Sequence, residues 1–593
     1  LKITIMKIKN IFNINIWLAG LLIITASCTK DFDEINTDPN RITEASNGSL
    51  LVYAQREAAY LYLTGGGTLG QWSQYTADRS ATNSFTNFDP EGEYDALYHN
   101  ILYQLEQIIL SANVENENGN RHYYAIAHIM QIWNMAAAVE LWGDLPYYDA
   151  LKGGTYEGGT VANYITPRFD TQEEILKNLI GRLNDMNDFI KASSGVQGIV
   201  SAGSYDIYAG GDMSDWRKFA NSLQAKLLLD LSVADQQYAV EGLNRIFSDP
   251  ELYPIFASES DYLGIKWQGL GALPANISSV AYSLYNNGDY KGFTSIVNNG
   301  IIRILVDNKD PRRFTFFQRP KSLPSSTFDG YGSDSIQMGD YYYNKDSLNV
   351  MSGFPPARTE STPSGALRPS TSIYSTIGGG FANVYRTDFI MDFAELCFVK
   401  AEAKLLGVSA LAESASSYYE AGIRANFDYF QDVHNLAIED EVLYTTTTFV
   451  VDPDDVYSED SIANFLAQPG VVLTGDPASD LEKIITQRYV STYYNGNKAF
   501  SMIRRTGFPK LDFFDIGTSA DLGFPTRYKY PEIVGVTNGD NLIDAIGKLT
   551  NNIWDGQVWI YENSPLVEPA FDYPIEDYLI YDVFTCEVVY PLD

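Results

Sequence analysis

The chain has 593 residues, 45% hydrophobic and 20% charged, which excludes a wholly disordered protein and allows one large body or several domains. Its formal net charge of −34 excludes diffuse attraction to nucleic acid or to an anionic membrane surface. An excess of that sign favours solubility at a surface.

Residues 1–27 stand apart, with Lys2, Lys7 and Lys9 as their only charges and an apolar run over 16–24. This is the pattern of an export signal, and the run is too short for a mature transmembrane helix, which needs about 20 apolar residues. Thr25, Ala26 and Ser27 stand directly before Cys28 and resemble a bacterial lipobox. Cys28 is then the lipidation site; the alternative is a simple cleaved signal with Cys28 a bystander. A bacterial lipoprotein carries three acyl chains, and two or more hold a protein stably at a membrane. Residues 28–47 read as the lipidated cysteine and a polar tether containing Asp38-Pro39-Asn40.

Apolar stripes at helical spacing predict helices over 48–63, 93–113, 122–142, 171–191 and 214–231, with Thr171 and Glu174 forming a capping box. From about 249 to 387 the period fails and Gly, Pro, Ser, Asn and Tyr take over. A long irregular stretch inside a compact domain is usually functional. The clearest helical pair follows. Over 391–407, Ala394, Cys397, Phe398, Ala401 and Leu405 share a face and Gly407 stops the helix. Over 411–430, Ala415, Tyr419, Gly422 and Ile423 alternate small and bulky, allowing close packing as a hairpin. The pair resembles a tetratricopeptide unit, which must be covered by further helix pairs; an ordinary hairpin is the alternative. One more helix is expected over 480–493. Cys397, on an apolar face, reads as a core residue, although a bridge to Cys586 is conceivable.

Gly65 to Gly70 matches a dinucleotide fingerprint only formally, because it follows a helix where a strand is required, and it reads as a loop. His122 and His128 point to different helix faces and cannot share a metal. Carboxylate pairs suggesting a hydrolase are inevitable by chance among 75 acids. No cofactor is expected. A structural calcium is the one option, at Asp452, Asp454, Asp455 and Asp460, although the glycine and terminal glutamate of an EF-hand loop are missing and a solvated loop competes.

The informative excess is aromatic: 42 tyrosines, 30 phenylalanines and 8 tryptophans, many in loops. A sugar is held by a flat ring against its C–H face and by Asn, Asp, Arg or Gln at its hydroxyl rim. Two stretches have that composition. One carries Trp72, Tyr75, Arg79 and Asn83; the other carries Trp267, Tyr282, Tyr285 and Asn286. Any one of these rings can equally plug the core beneath its loop. The two stretches are expected to converge on one site. Arg504 and Arg505 are expected to pair with carboxylates and helix ends.

Several separated segments together resemble the SusD/RagB family of outer-membrane, nutrient-binding lipoproteins. They are 36–40 (NTDPN), 140–151 (ELWGDLPYYDAL), 310–313 (DPRR), 393–407 (FAELCFVKAEAKLLG), 487–509 (QRYVSTYYNGNKAFSMIRRTGFP) and 525–532 (PTRYKYPE). The resemblance implies a mainly α fold of tetratricopeptide-like hairpins over 48–559, with a large irregular ligand-binding region. It also implies a non-enzymatic lid on a SusC-like, TonB-dependent outer-membrane barrel that binds glycan or peptide. The tail over 560–593 has no counterpart and no expected role. The reading is therefore a surface lipoprotein that captures an oligosaccharide. A peptide-binding lid, a glycan-active hydrolase and a helical scaffold are the alternatives.

Overall fold

The computed structural model describes residues 46–63, 67–77, 88–114, 119–152, 165–196, 199–267, 285–286, 289–290, 296–318, 350–352, 376–377, 381, 385–439, 457–511, 524–547, 553, 558–565 and 580–582. Four predicted stripes form helices within one or two residues of their expected bounds, α1 (Asn47–Tyr62), α4 (Arg121–Trp142), α5 (Gln172–Ser193) and α6 (Met213–Asp230), whereas the stripe over 93–113 is a continuous α-helix only in its second half, α3 (Tyr103–Ser111). Between α1 and α3 lie the short α2 (Thr68–Trp72) and, leading into α3, a helix Glu91–Asp95 and a π-helical stretch Ala96–Leu102. Both halves of the Thr171–Glu174 capping box are present. Buried positions cover α4 nearly all round from Ile129 to Trp142, so it is the axis on which the other helices pack.

Several features depart from the sequence reading. Thr68 to Gly70 open the short helix α2 rather than continuing a loop. Helix α7 (Gln236–Ser248), capped by Asp235, follows α6 unforeseen. The irregular region holds helix α8 (Asn299–Asp307), which Asn298 caps by accepting from Gly300 N.

The late hairpin consists of α9 (Phe393–Leu405) and α10 (Ala415–Glu439). Gly407, at φ +87°, ends the first helix in a left-handed turn that favours glycine. Gly422 sets the spacing of the pair, because a Cβ there would lie 3.1 Å from the Ala394 carbonyl oxygen and 3.2 Å from Cys397 Cβ. Cys397 is buried and free. After α11 (Glu459–Leu466), the late family-like segment forms two helices, α12 (Pro477–Ser491) and the unforeseen α13 (Gly496–Thr506). The hairpin α14 (Glu532–Thr537) and α15 (Gly539–Ile546) follows.

The strands are short. β1 (Thr76–Ala77), β5 (Ile296–Val297), β8 (Thr376–Ile377) and β6 (Phe317–Gln318) form one antiparallel sheet in that spatial order. β2 (Tyr262–Lys266) pairs with β9 (Thr387–Asp392), and β3 (Tyr285–Asn286) with β4 (Asp289–Tyr290). The described residues of the tail pack on the body. Ile560 and Tyr561 are fully buried, Ile560 N donates to Gln172 Oε1, and β10 (Ile580–Asp582) pairs with β7 (Val350–Ser352). Among the described residues, no helix is long and apolar enough to cross a membrane.

Candidate functional site

The first aromatic stretch meets the middle region through its backbone. Thr76 pairs with Val297 and Ala77 with Ile296, so a strand within the first stretch lies against a strand that follows the second. β5 then pairs with β8, and β8 with β6, which brings three parts of the 249–387 region to one sheet beside the first stretch.

What fixes this sheet to the helices is the late motif. Tyr75 stacks on Tyr489 with ring centroids 4.5 Å apart. Tyr75 Oη donates to the Tyr489 carbonyl at 2.6 Å, and Tyr489 Oη donates to the Ser73 carbonyl at 2.7 Å. Gly496, which opens α13, lets two backbones touch, since a Cβ there would lie 2.4 Å from Gly70 N. No other residue fits that spacing without displacing α2.

The candidate rings occupy positions different from those expected of sugar platforms. Trp72 is 1% exposed, and Phe88, Phe500 and Tyr528 surround it at centroid distances of 5.3, 5.4 and 5.7 Å. Tyr75 is fully buried. Trp267 is 3% exposed, faces Tyr60 at 6.1 Å, and donates from Nε1 to Asp388 at 2.7 Å. A ring enclosed by core neighbours has no free face for a sugar, so these three belong to a buried aromatic floor. Composition alone does not separate a platform from a floor, because both need a large ring in a turn-rich stretch. Arg79, Asn83 and Tyr282 lie outside the described residues, as do Cys28 and Asp452 to Asp455. For Tyr285 and Asn286 only the strand is described, with Tyr285 opposite Tyr290 and Asn286 opposite Asp289. Asp460 is exposed in the first turn of α11.

Two cavities lie beside this floor. One, of about 40 Å³, is lined by Trp133, Glu140, Lys226 and Glu395; the other, of about 50 Å³, by Arg386, Asp388, Asp392 and Tyr493. They share Leu63, Asn495 and Lys498. A cavity needs only about 10–15 Å³ to admit a water, so these hold a few waters and not a sugar ring. Burial lifts the Asp392 carboxyl to about 6 and raises that of Asp388, against the opposing pull of Lys498 and Arg386 respectively.

Behind the floor runs an unbroken chain of alternating charges that was not anticipated. Glu140 pairs with Lys226 (2.8 Å), Lys226 with Asp230 (2.9 Å) and Asp230 with Arg505 (3.3 Å). Arg505 grips both oxygens of Glu402, and Arg488 lies between Glu402 (3.9 Å) and Glu395 (3.2 Å). Lys498 closes the chain on Glu395 at 2.7 Å. Burial disfavours the Lys226 ammonium, yet Asp230 and Glu140 outweigh it and hold its pKa above the ordinary lysine range. Burial likewise disfavours charge on Asp230, but Lys226, Arg505 and Arg488 bring its pKa below the usual carboxylate value.

Neighbouring Arg504 is pulled down to about 10 by burial and donates to the carbonyls of Glu140 and Thr526, one of them near the end of α4. Its placement, and that of Arg505, match the expected carboxylate and helix-end partners. Arg312 forms a second buried knot with Asp310, Asn426 and Gln487. The segments 140–151, 393–407 and 487–509 therefore meet as one charge-compensated seam, a scaffold rather than a reaction centre.

Residues 39–531 match the family model SusD-like_2, described as starch-binding and associating with the outer membrane. The chain belongs to this SusD-like family and, like its members, is a binding protein and not an enzyme. Among similar solved structures are a SusD-like protein of Bacteroidetes AC2a (18% identity, 87% of this chain and 100% of that one, TM-score 0.65) and a SusD/RagB family protein of Bacteroides thetaiotaomicron (19%, 87% and 99%, 0.64). A third is a chitin-binding SusD homolog from Flavobacterium johnsoniae (20%, 88% and 98%, 0.62). No curated protein matches the sequence.

Proposed function

We propose that the protein is a surface lipoprotein of the outer membrane, anchored through Cys28, that captures an oligosaccharide and passes it to a SusC-like, TonB-dependent barrel. The observation that carries the reading is the antiparallel sheet in which the first aromatic stretch and the middle region meet. Starch binding in the family description and chitin binding in a structural relative support a neutral glycan as ligand. The negative balance of the chain disfavours highly anionic sugars. Ligand contact is assigned to Arg79, Asn83, Tyr282, Tyr285 and Asn286, while the buried Trp72, Tyr75 and Trp267 form the floor.

The test is binding of the purified chain to arrays carrying malto- and chito-oligosaccharides, with product analysis in parallel. Retention of sugar without shorter products is the expected result. Release of shortened sugars points to a hydrolase, and retention of peptides alone points to a peptide-binding lid. Detergent pull-down of the native protein is expected to recover a large barrel.

A further inference from the structure

The chain turns sharply between α2 and β1. Tyr75 N donates to the Gly70 carbonyl at 2.9 Å, and Gln74 N donates to the Gln71 carbonyl at 3.0 Å. This pair of bonds ends a helix by placing one residue in the left-handed region, where glycine is the usual choice because it has no Cβ to strain. Here that residue is Gln74, at φ +57°. A conformation of this kind persists only where the surroundings over-determine it, and such residues gather at ligand clamps and other working sites. What glutamine supplies and glycine does not is a side chain.

That side chain is 2% exposed and lies against the start of α8. A Cβ built at Gly300 would stand only 3.1 Å from Gln74 Cβ, so the two positions are matched, one bearing a side chain and the other none. Two bonds complete the joint. Asn298 N donates to the Tyr75 carbonyl at 3.4 Å, and Asn298 Oδ1 accepts from Gly300 N at 2.8 Å. β1 and β5 have two residues each, and a pair so short buries too little to specify its own register. A slip by one residue would turn every side chain to the other face of the sheet. Because the pairing is antiparallel, the chain leaves β1 at Ala77 and enters β5 at Ile296 on one end, while Gln74 and Gly300 hold the other.

We propose that Gln74 is a positioning residue for glycan capture: its side chain against Gly300 sets the register of β1 on β5, and so the points at which the segments assigned to ligand contact join the sheet. The inference rests on the contact assignment proposed above. Arg79 and Asn83 follow Ala77 by two and six residues, and Asn286 precedes Ile296 by ten. Gln74 is too deeply buried to touch a ligand. It acts instead on the share of molecules whose contact segments are in register, and a smaller share weakens apparent affinity in proportion. That loss falls on the association rate, whereas loss of a direct contact falls mainly on dissociation.

The experiment follows the kinetics of maltoheptaose and chitohexaose binding to the full purified chain, together with thermal melting and amide hydrogen exchange over 73–77 and 296–298. Gln74→Gly keeps the left-handed turn and removes the side chain. Gly300→Ala keeps Gln74 and crowds it from the other side, so either variant tests the joint if the other fails to fold. Association is expected to slow by about five-fold or more in each, with dissociation unchanged. Exchange at the Asn298 amide is expected to quicken before any sugar is added. Asn113→Gly, at another left-handed residue (φ +46°) that follows α3, is the control and is expected to bind as wild type does. Unchanged association in both variants, when the wild type binds sugar, overturns the positioning role alone. So does a lowered melting temperature with unaltered affinity per folded molecule, which makes Gln74 a packing residue, and so does an equal slowing in Asn113→Gly. Faster dissociation at unchanged association makes Gln74 a contact and also overturns the role. Wild-type protein that binds neither sugar overturns the glycan reading and this inference together.

Discussion

In the seam between α4, α6, α9, α12 and α13, four carboxylates and four cations alternate in contact, so no charge in that line lies more than one neighbour from its opposite. Beneath β1 and β9, a short distance away, the buried groups are mainly rings: Trp72, Tyr75, Phe88, Trp267, Tyr489 and Tyr493. Both regions hold the loop-bearing face to the helical body, but they respond differently to damage. An alternating line transmits the loss of one member to both neighbours, leaving buried charge without its partner. A ring cluster loses area and contact locally, in proportion to what is removed.

The largest effect is expected from Arg505→Ala, which strands Glu402 and weakens the hold on Asp230. Breaking a buried pair from one side costs about 3–5 kcal/mol, and the loss here falls on two partners, so the upper part of that range applies. Urea unfolding measures it. A change within about 0.5 kcal/mol would place the seam among exposed ion pairs and erase the contrast.

Trp72→Ala is expected to destabilise by about 3–5 kcal/mol as a truncated core ring, with sugar affinity per folded molecule little altered. The same experiment on Trp267 adds the loss of its bond to Asp388. An unchanged melt with about ten-fold weaker glycan binding would instead make either ring a platform, which sharpens the comparison by removing it from the floor.

The smallest effect belongs to Asp392, which joins the two regions as a cavity wall and as the cap of α9, accepting from Glu395 N at 2.8 Å. Burial raises its folded pKa to about 6, above its unfolded value, so between about pH 4 and 6 the native state holds the extra proton. Stability from this group is therefore full below pH 4 and is lost as pH rises through 6, by about 2–3 kcal/mol at most. Asp230 and Glu395, whose folded values are lowered, work in the opposite sense and lose stability as pH falls. Comparing wild type with Asp392→Asn, which keeps a capping side chain, isolates the Asp392 part. The expected result is a variant-minus-wild-type stability difference that grows from pH 4 to 6.5; a flat difference would remove Asp392 from the pH response.

Local period and punctuation determined much of this protein. The stripes of α1 and of α3 to α6, the Thr171 capping box, the close-packed α9–α10 pair and the stop at Gly407 are properties of neighbouring residues, so they were legible in order along the chain. Helix α13 was not anticipated: Asn495 caps it by accepting from Lys498 N, and Gly496 admits the backbone of Gly70. Helix α8 was lost among turn-forming neighbours. What only the tertiary structure decided is which groups lie across from one another. Trp72 reads alike as platform or floor until Phe500 and Tyr528, more than 400 residues away, close over it. Glu140 reads as one acid among 75 until Lys226 and Arg504 meet its side chain and carbonyl. Burial and charge pairing depend on contacts between distant segments, and no periodicity along the chain encodes them; helix and cap depend on contacts within a turn, and the sequence carries those directly.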